Sequence, residues 1–227
     1  MKITVLSLFP EMFPTILNES IIKRAKENNL IEFEIINFRD FSTNKHHTVD
    51  DTPYGGGAGM VLSVEPIYNA LLSIKGYESA LKILLTPQGK TYKQAIAKEL
   101  ATNDHIILIC GHYEGFDERV REYIDLELSI GDYVLTGGEI AALAIIDSVV
   151  RLLPGVLGSK ESYEKDSFYE DSLDYPQYTK PREFNGLKVP EVLLSGNHKK
   201  IAEWREEMKI KRTKERRPDL HKKTNQN

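Results

Sequence analysis

The 227-residue chain predicts an α/β fold built on a mostly parallel sheet. Three observations carry that expectation. Apolar runs of strand length recur, starting with ITVLSLF at 3–9, and the first shows none of the polar alternation of a half-exposed sheet. Helical stretches stand between these runs, the alternation that lays helices on the faces of a sheet. Glycine-bearing loops follow the later runs, as TPQG at 86–89, CGHYEG at 110–115 and SIGDYVLTGG at 129–138.

In order, ITVLSLF is a strand buried on both faces and ended by Pro10. A helix is expected from Phe13 to Asn28, then a second strand in IEFEIINF. Residues 42–60, STNKHHTVDDTPYGGGAGM, are polar and glycine-rich and read as a long loop, a length usually tied to function or mobility. LKILL is a strand, TPQG a loop and KTYKQAIAKEL a helix. IILIC is a further strand, with GHYEGFDERVREYI following as loop then helix. Leu126 to Ser129 forms another strand, and GEIAALAIIDSVVRLL a long apolar helix stopped by Pro154 and Gly155. GSKESYEKDSFYEDSLDY, 158–175, is acidic and aperiodic, a linker expected to order when something binds. Beyond it lies a small helical unit.

The one cysteine, Cys110, excludes an internal disulfide, which favours a reducing cytoplasm. No apolar run approaches the ~18 residues of a membrane span. Net charge is −4, yet Lys199 to Lys223 carries eleven Lys or Arg against five Asp or Glu. That segment reads equally as a basic attachment surface or as a solvated helix face.

Right-handed crossovers put all strand C-terminal ends on one edge, so the three glycine loops converge there. Glycine lets backbone approach a ligand closely. A cleft lined by main-chain donors and acceptors suits a flat heterocycle with a ribose. QGKT at 88–91 ends like a phosphate-binding loop, but Leu84 occupies the position of its first glycine. GGGAG at 55–59 lacks the closing glycine of a dinucleotide fingerprint. Nicotinamide cofactors and nucleoside triphosphates are therefore disfavoured. His46, His47 and His112 lack metal-ligand spacing, and no paired cysteines mark a zinc site. No metal ligand is assigned.

Eight strings in order, LFPEMF, TVDDTPYGGGAGM, TPQG, CGHYEGFDERV, SIGDYVLTGGE, DSVVRLLPGVLG, DSFYEDSLDYPQYTKP and VLLSGNH, resemble the bacterial tRNA (guanine-N1)-methyltransferase family, TrmD, of the SPOUT class. The match runs to about Asp219. The resemblance implies a SPOUT parallel sheet with a trefoil knot in residues 1–158, a linker at 159–175 and a small helical tRNA-binding domain at 176–227. It implies S-adenosylmethionine as methyl donor, held by Leu84, Leu85, Thr86, Pro87, Gln88 and Gly89, by Cys110, Gly111, Tyr113 and Glu114, and by Ser129, Ile130, Gly131, Asp132, Tyr133, Val134, Leu135, Gly137 and Gly138.

The implied reaction is methylation of guanine N1 in tRNA, at the base 3′ of the anticodon, with Asp166 as base and Arg151 stabilising charge on the guanine. On residue type alone Asp166 is a solvated acid and Arg151 a helix-end cation. The implied partners are the anticodon arm of tRNA, gripped by Lys199, Lys200, Arg205, Lys211, Arg212, Arg216 and Arg217, and a second copy of the chain sharing each active site. Neither DNA nor membrane is implied. A magnesium requirement comes with the resemblance, with Glu114 and Asp174 as weaker candidates for it. His112 and His47 stand where many or some members carry arginine. Rival readings are a non-catalytic RNA binder, a nucleotide-dependent oxidoreductase, and a SPOUT enzyme acting at another RNA position.

Overall fold

A computed structural model describes residues 1–158 and 161–221. Positions 159–160 of the expected linker, and 222–227 with Lys222 and Lys223 of the basic segment, lie outside the described residues. The chain divides into two compact units, Met1–Gly158 and Ser159–Asn227.

The first unit opens with β1 (Lys2–Ser7), whose last five residues are all buried. The expected helix from Phe13 to Asn28 is two pieces, α1 (Pro14–Leu17) and α2 (Ser20–Glu27), broken at Asn18 and Glu19, with Ser20 opening the second at φ 53. β2 is Glu32–Asn37. Within the expected 42–60 loop, β3 (Asp50–Asp51) pairs antiparallel with β4 (Val61–Leu62). The glycines of this turn, Gly55, Gly56, Gly57 and Gly59, all have positive φ, so the run serves backbone shape.

A helix that sequence reading did not single out, α3 (Val64–Ser73), follows. Its buried Pro66, Ile67, Ala70 and Leu71 recur at helical spacing and cover one sheet face with Leu6, Leu84, Ile107 and Ile109.

β5 (Leu81–Thr91) corrects a second expectation. TPQG is not a strand-to-helix turn. It is an irregularity inside one strand, whose Lys90 and Thr91 return to pair with Leu128 and Ser129. The helix begins later, as α4 (Gln94–Leu100). β6 (His105–Cys110) is buried from Ile106 onward. A short 3-10 helix, Glu118–Tyr123, stands where an α-helix was expected, and β7 (Leu126–Ser129) follows. α5 (Glu139–Val150) buries Ala141, Ala142, Ile145, Ile146, Val149 and Val150, a two-wide stripe at a period near 3.6.

The five long strands form one sheet in the order β2-β1-β6-β5-β7, all parallel. β6, β5 and β7 are neighbours, and Leu85 pairs with both Cys110 and Leu128. Their loops therefore leave the sheet side by side at one level.

The second unit holds α6 (Glu161–Glu164), then turns in which Asp166 N–H donates to Tyr163 O and Phe168 N–H to Ser172 O. A hairpin of β8 (Glu183–Phe184) and β9 (Leu187–Lys188) turns on Asn185 and Gly186, both with positive φ, the pairing favoured in two-residue hairpins. α7 (Glu191–Leu194) precedes α8 (His198–Arg216), capped by Asn197, whose side chain accepts from Lys200 N–H. α9 is Pro218–His221. The linker aromatics pack within this unit: Arg205 lies over the Tyr175 ring at 4.9 Å and Arg217 over Phe168 at 5.3 Å.

Gly89, expected at a ligand, has a structural role. A Cβ there would lie 2.6 Å from the carbonyl carbon of Leu128, so only glycine lets β5 rejoin β7. Gly89→Ala is expected to cost about 1–3 kcal/mol through overpacking against backbone. Urea denaturation checks this, and an unchanged midpoint would contradict it.

Candidate active site

The three loops enclose a cavity of about 340 Å³ at the carboxyl edge of the sheet. β5 contributes Leu85, Thr86, Pro87 and Gln88. The segment after β6 contributes Gly111, Tyr113 and Glu114. The segment after β7 contributes Ser129, Ile130, Gly131, Tyr133, Val134, Leu135, Gly137 and Gly138. Leu84, Gly89, Cys110 and Asp132 do not line it; Leu84 and Cys110 are buried in the strands behind.

Glycine is required here first by the protein itself. A Cβ on Gly138 would lie 2.8 Å from Cys110 Cα and 2.9 Å from Gly111 N, while Gly138 N–H donates to Gly111 O at 2.9 Å. A Cβ on Gly111 would meet the Phe116 ring at 2.8 Å, and one on Gly137 would meet His112 Nδ1 at 3.0 Å and press on the Glu139 carboxylate. This close approach, with the Gly138 to Gly111 hydrogen bond, sets the loop before α5 against the end of β6. The glycine turn at 53–59 adjoins the same wall, since Glu114 N–H donates to Met60 O and Leu62 N–H to Gly115 O.

Polar side chains anchor the rim and floor. Gln88 Oε1 accepts from Arg121 Nη2 at 2.8 Å, and Arg121 also pairs with Glu118 and Glu127. The hydrogen bond to Glu127, then that to Glu118, raises the Arg121 pKa above its ordinary value. Glu139 is only 3% exposed, and its Oε1 accepts from Ser7 Oγ at 2.6 Å. Its place in the first turn of α5 is where a helix dipole favours a carboxylate. His112 tilts against Phe9, and its buried Nδ1 has no hydrogen-bond partner among the described residues.

Sequence reading did not assign His112, Gly115, Phe116, Glu118, Arg121, Leu128, Thr136 or Ala141 to the cavity that they line. Most lie inside the quoted GHYEGFDERVREYI and SIGDYVLTGG strings, so position within those loops was the available signal.

Arg151 caps the C-terminal end of α5, half-buried, and is not among the lining residues. Asp166 belongs to the second unit, half-buried between the turns that its N–H and C=O close. Of the seven expected RNA contacts, Lys199, Lys200, Arg205, Lys211 and Arg216 are exposed on α8, and Arg212 is half-buried. Arg217 is engaged by Asp219 at 2.7 Å. Among the described residues no three His, Cys, Asp or Glu side chains gather to hold a metal ion, and no helix is long and apolar enough to cross a membrane.

A cavity of this size, lined by the segments that follow three adjacent parallel strands, places the candidate site of an α/β protein at the carboxyl edge of its sheet. The family described as tRNA (Guanine-1)-methyltransferase TrmD matches residues 1–223, and the chain belongs to it. Curated relatives named tRNA (guanine-N(1)-)-methyltransferase include that of Malacoplasma penetrans, 61% identical over 97% of this chain and 96% of the relative. That of Clostridioides difficile is 56% identical over all of both chains, and that of Staphylococcus carnosus 56% over 97% and 90%.

Burial, and then the charge of Glu139, push the Cys110 thiol well above its ordinary value. The folded state therefore keeps a proton that the unfolded chain loses, so stability falls as pH rises past about 8.5. Cys110 is expected to resist iodoacetamide at about pH 8 while folded and to react in urea. Mass spectrometry reads the adduct, and rapid labelling of the folded protein would overturn the assignment.

Proposed function

We propose that this chain transfers a methyl group from S-adenosylmethionine to N1 of guanine in tRNA, at the base 3′-adjacent to the anticodon. The observation that carries the reading is the convergence of the β5, β6 and β7 loops on one cavity, in a chain that belongs to the TrmD family. Gly111, Gly137 and Gly138 line the cavity where a side chain would collide with its neighbours, and the donor lies against them. Ile130, Gly131, Tyr133, Val134, Leu135 and Gly111 hold the adenine through backbone groups, with Leu85, Pro87 and Gln88 opposite. Bound there, the donor supplies a methyl group activated by its sulfonium.

At neutral pH guanine N1 carries a proton, so its lone pair is unavailable until a base removes it. Asp166 accepts that proton, and Arg151 donates to guanine O6 as negative charge gathers there. The arginine at the end of α5 and the aspartate in the second unit act together in a homodimer, where one copy closes over the donor of the other. Exposed Phe9, Met12, Ile16 and Ile140 supply apolar surface for that pairing. The family also implies a trefoil knot around the cavity loops, a helical tRNA-binding domain beyond the linker, and a cytoplasmic site of action. The family resemblance also implies a magnesium requirement, to which carboxylates such as Glu114 or Asp174 would contribute together with water and RNA phosphates.

The deciding assay incubates the protein with labelled S-adenosylmethionine and unmodified tRNA, then identifies the nucleoside and its position. 1-Methylguanosine beside the anticodon is expected; label elsewhere, or none, would refute the reading. Asp166→Ala should lower turnover ~100- to 10,000-fold while donor binding by calorimetry stays nearly intact. Arg151→Ala should likewise reduce turnover more than donor affinity, and loss of donor binding alone would move Arg151 into the donor pocket. Gly138→Ala, whose Cβ meets the backbone of Cys110 and Gly111, should weaken donor binding, read by calorimetry; unchanged affinity would remove Gly138 from the donor site.

A further inference from the structure

A second cavity, of about 430 Å³, lies wholly within the second unit. It is bounded by the extended segment from Tyr175 to Lys180 with Arg182, by Val189 after the hairpin, and by α7 and α8. Val189, Leu193 and Ile201 give it an apolar floor. Its rim carries Lys180, Arg182 and Arg205, and no Asp or Glu is among the lining residues. Two aromatic faces stand at it. Tyr175 lies beneath the Arg205 guanidinium at 4.9 Å, and Tyr178, 49% exposed, lies 6.4 Å from the Trp204 ring.

We propose that this groove binds one unpaired nucleotide of the RNA substrate, other than the base that is methylated. The inference rests on the reading that the substrate is RNA. A splayed nucleotide presents a flat face and an anionic phosphate, and single-strand sites meet them with aromatic rings beside cations. Tyr178 takes the base, the apolar floor the sugar edge, and Lys180, Arg182 and Arg205 the phosphates. Paired bases in an A-form helix offer no free face to such a groove, so duplex RNA is excluded. Charge also disfavours a cationic or apolar peptide, because the three charged side chains lining the groove are all positive. Lys180 and Arg182 fall outside the basic run of α8, so this site adds two cations that the local charge count passed over.

Trp204 is the only tryptophan in the chain, and its place beside Tyr178 makes its fluorescence a direct report on the groove. The full-length protein is titrated with a uridine tetranucleotide and, separately, with an RNA duplex of similar length. The single strand is expected to change Trp204 emission saturably, and the duplex to leave it unchanged. Tyr178→Ala should weaken the tetranucleotide about 5- to 150-fold, the span of one lost base stack. Arg182→Ala and Arg205→Ala, both at exposed positions, should each weaken it and each lower the log–log salt slope by about 0.7.

A silent tryptophan, equal response to duplex, or unaltered affinity and slope in the arginine variants would overturn the assignment. A change in emission with protein concentration alone would give the groove to a second copy and overturn it equally. Methylation of tRNA by the unmodified protein is followed in parallel. Lost methylation with intact tetranucleotide binding refutes the enzymatic reading alone, whereas intact methylation with a silent groove refutes this one.

Discussion

Gly138 stands where any side chain would enter the backbone of Cys110 and Gly111, and its N–H donates to the Gly111 carbonyl. The cavity depends on that contact of main chain with main chain. It sets the distance between the segment before α5 and the end of β6, and with it the width of the cavity. Because the contact is made by backbone, it is set by the fold and not by a side-chain rotamer. Gly111 and Gly137 extend the arrangement, since a Cβ at either would press on the Phe116 ring or on the Glu139 and His112 side chains.

Charged groups lock the walls without filling them. Arg121 ties Gln88 of one wall to Glu127 at the base of β7, and Glu118 holds the same guanidinium from the other side. The bond from Ser7 to Glu139 fixes the first turn of α5 to the end of the first strand. A carboxylate this deeply buried needs a donor and a favourable dipole, and it has both.

The parallel sheet was legible because strands buried on both faces need uninterrupted apolar runs, as in ITVLSLF and IILIC. The converging loops were legible for the same topological reason, since parallel strands deliver their ends to one edge. The course of β5 was not, because TPQG has turn composition and nothing local shows that Lys90 and Thr91 return to β7. α3 escaped notice although its stripe of Pro66, Ile67, Ala70 and Leu71 is regular; an internal proline in the first turn reads as a break. Gly89 and Gly138 look alike as letters. One answers to the strand beside it and the other to the loop it closes, a difference that only tertiary packing decides. The partners of Arg121 were equally invisible, since Gln88 lies 33 residues away in sequence.

The Ser7–Glu139 bond joins groups 132 residues apart. Contacts of that span make contact order high and folding slow, because a long loop must close before the bond repays it. While the ribosome is still producing α4, the nascent chain has β1, β2 and β5 but neither of the two strands between and beside them. The last partner of the first strand emerges only with Glu139. Assembly of the cleft thus waits until more than half of the chain has been made, and until then the sheet stands unfinished with unpaired edges.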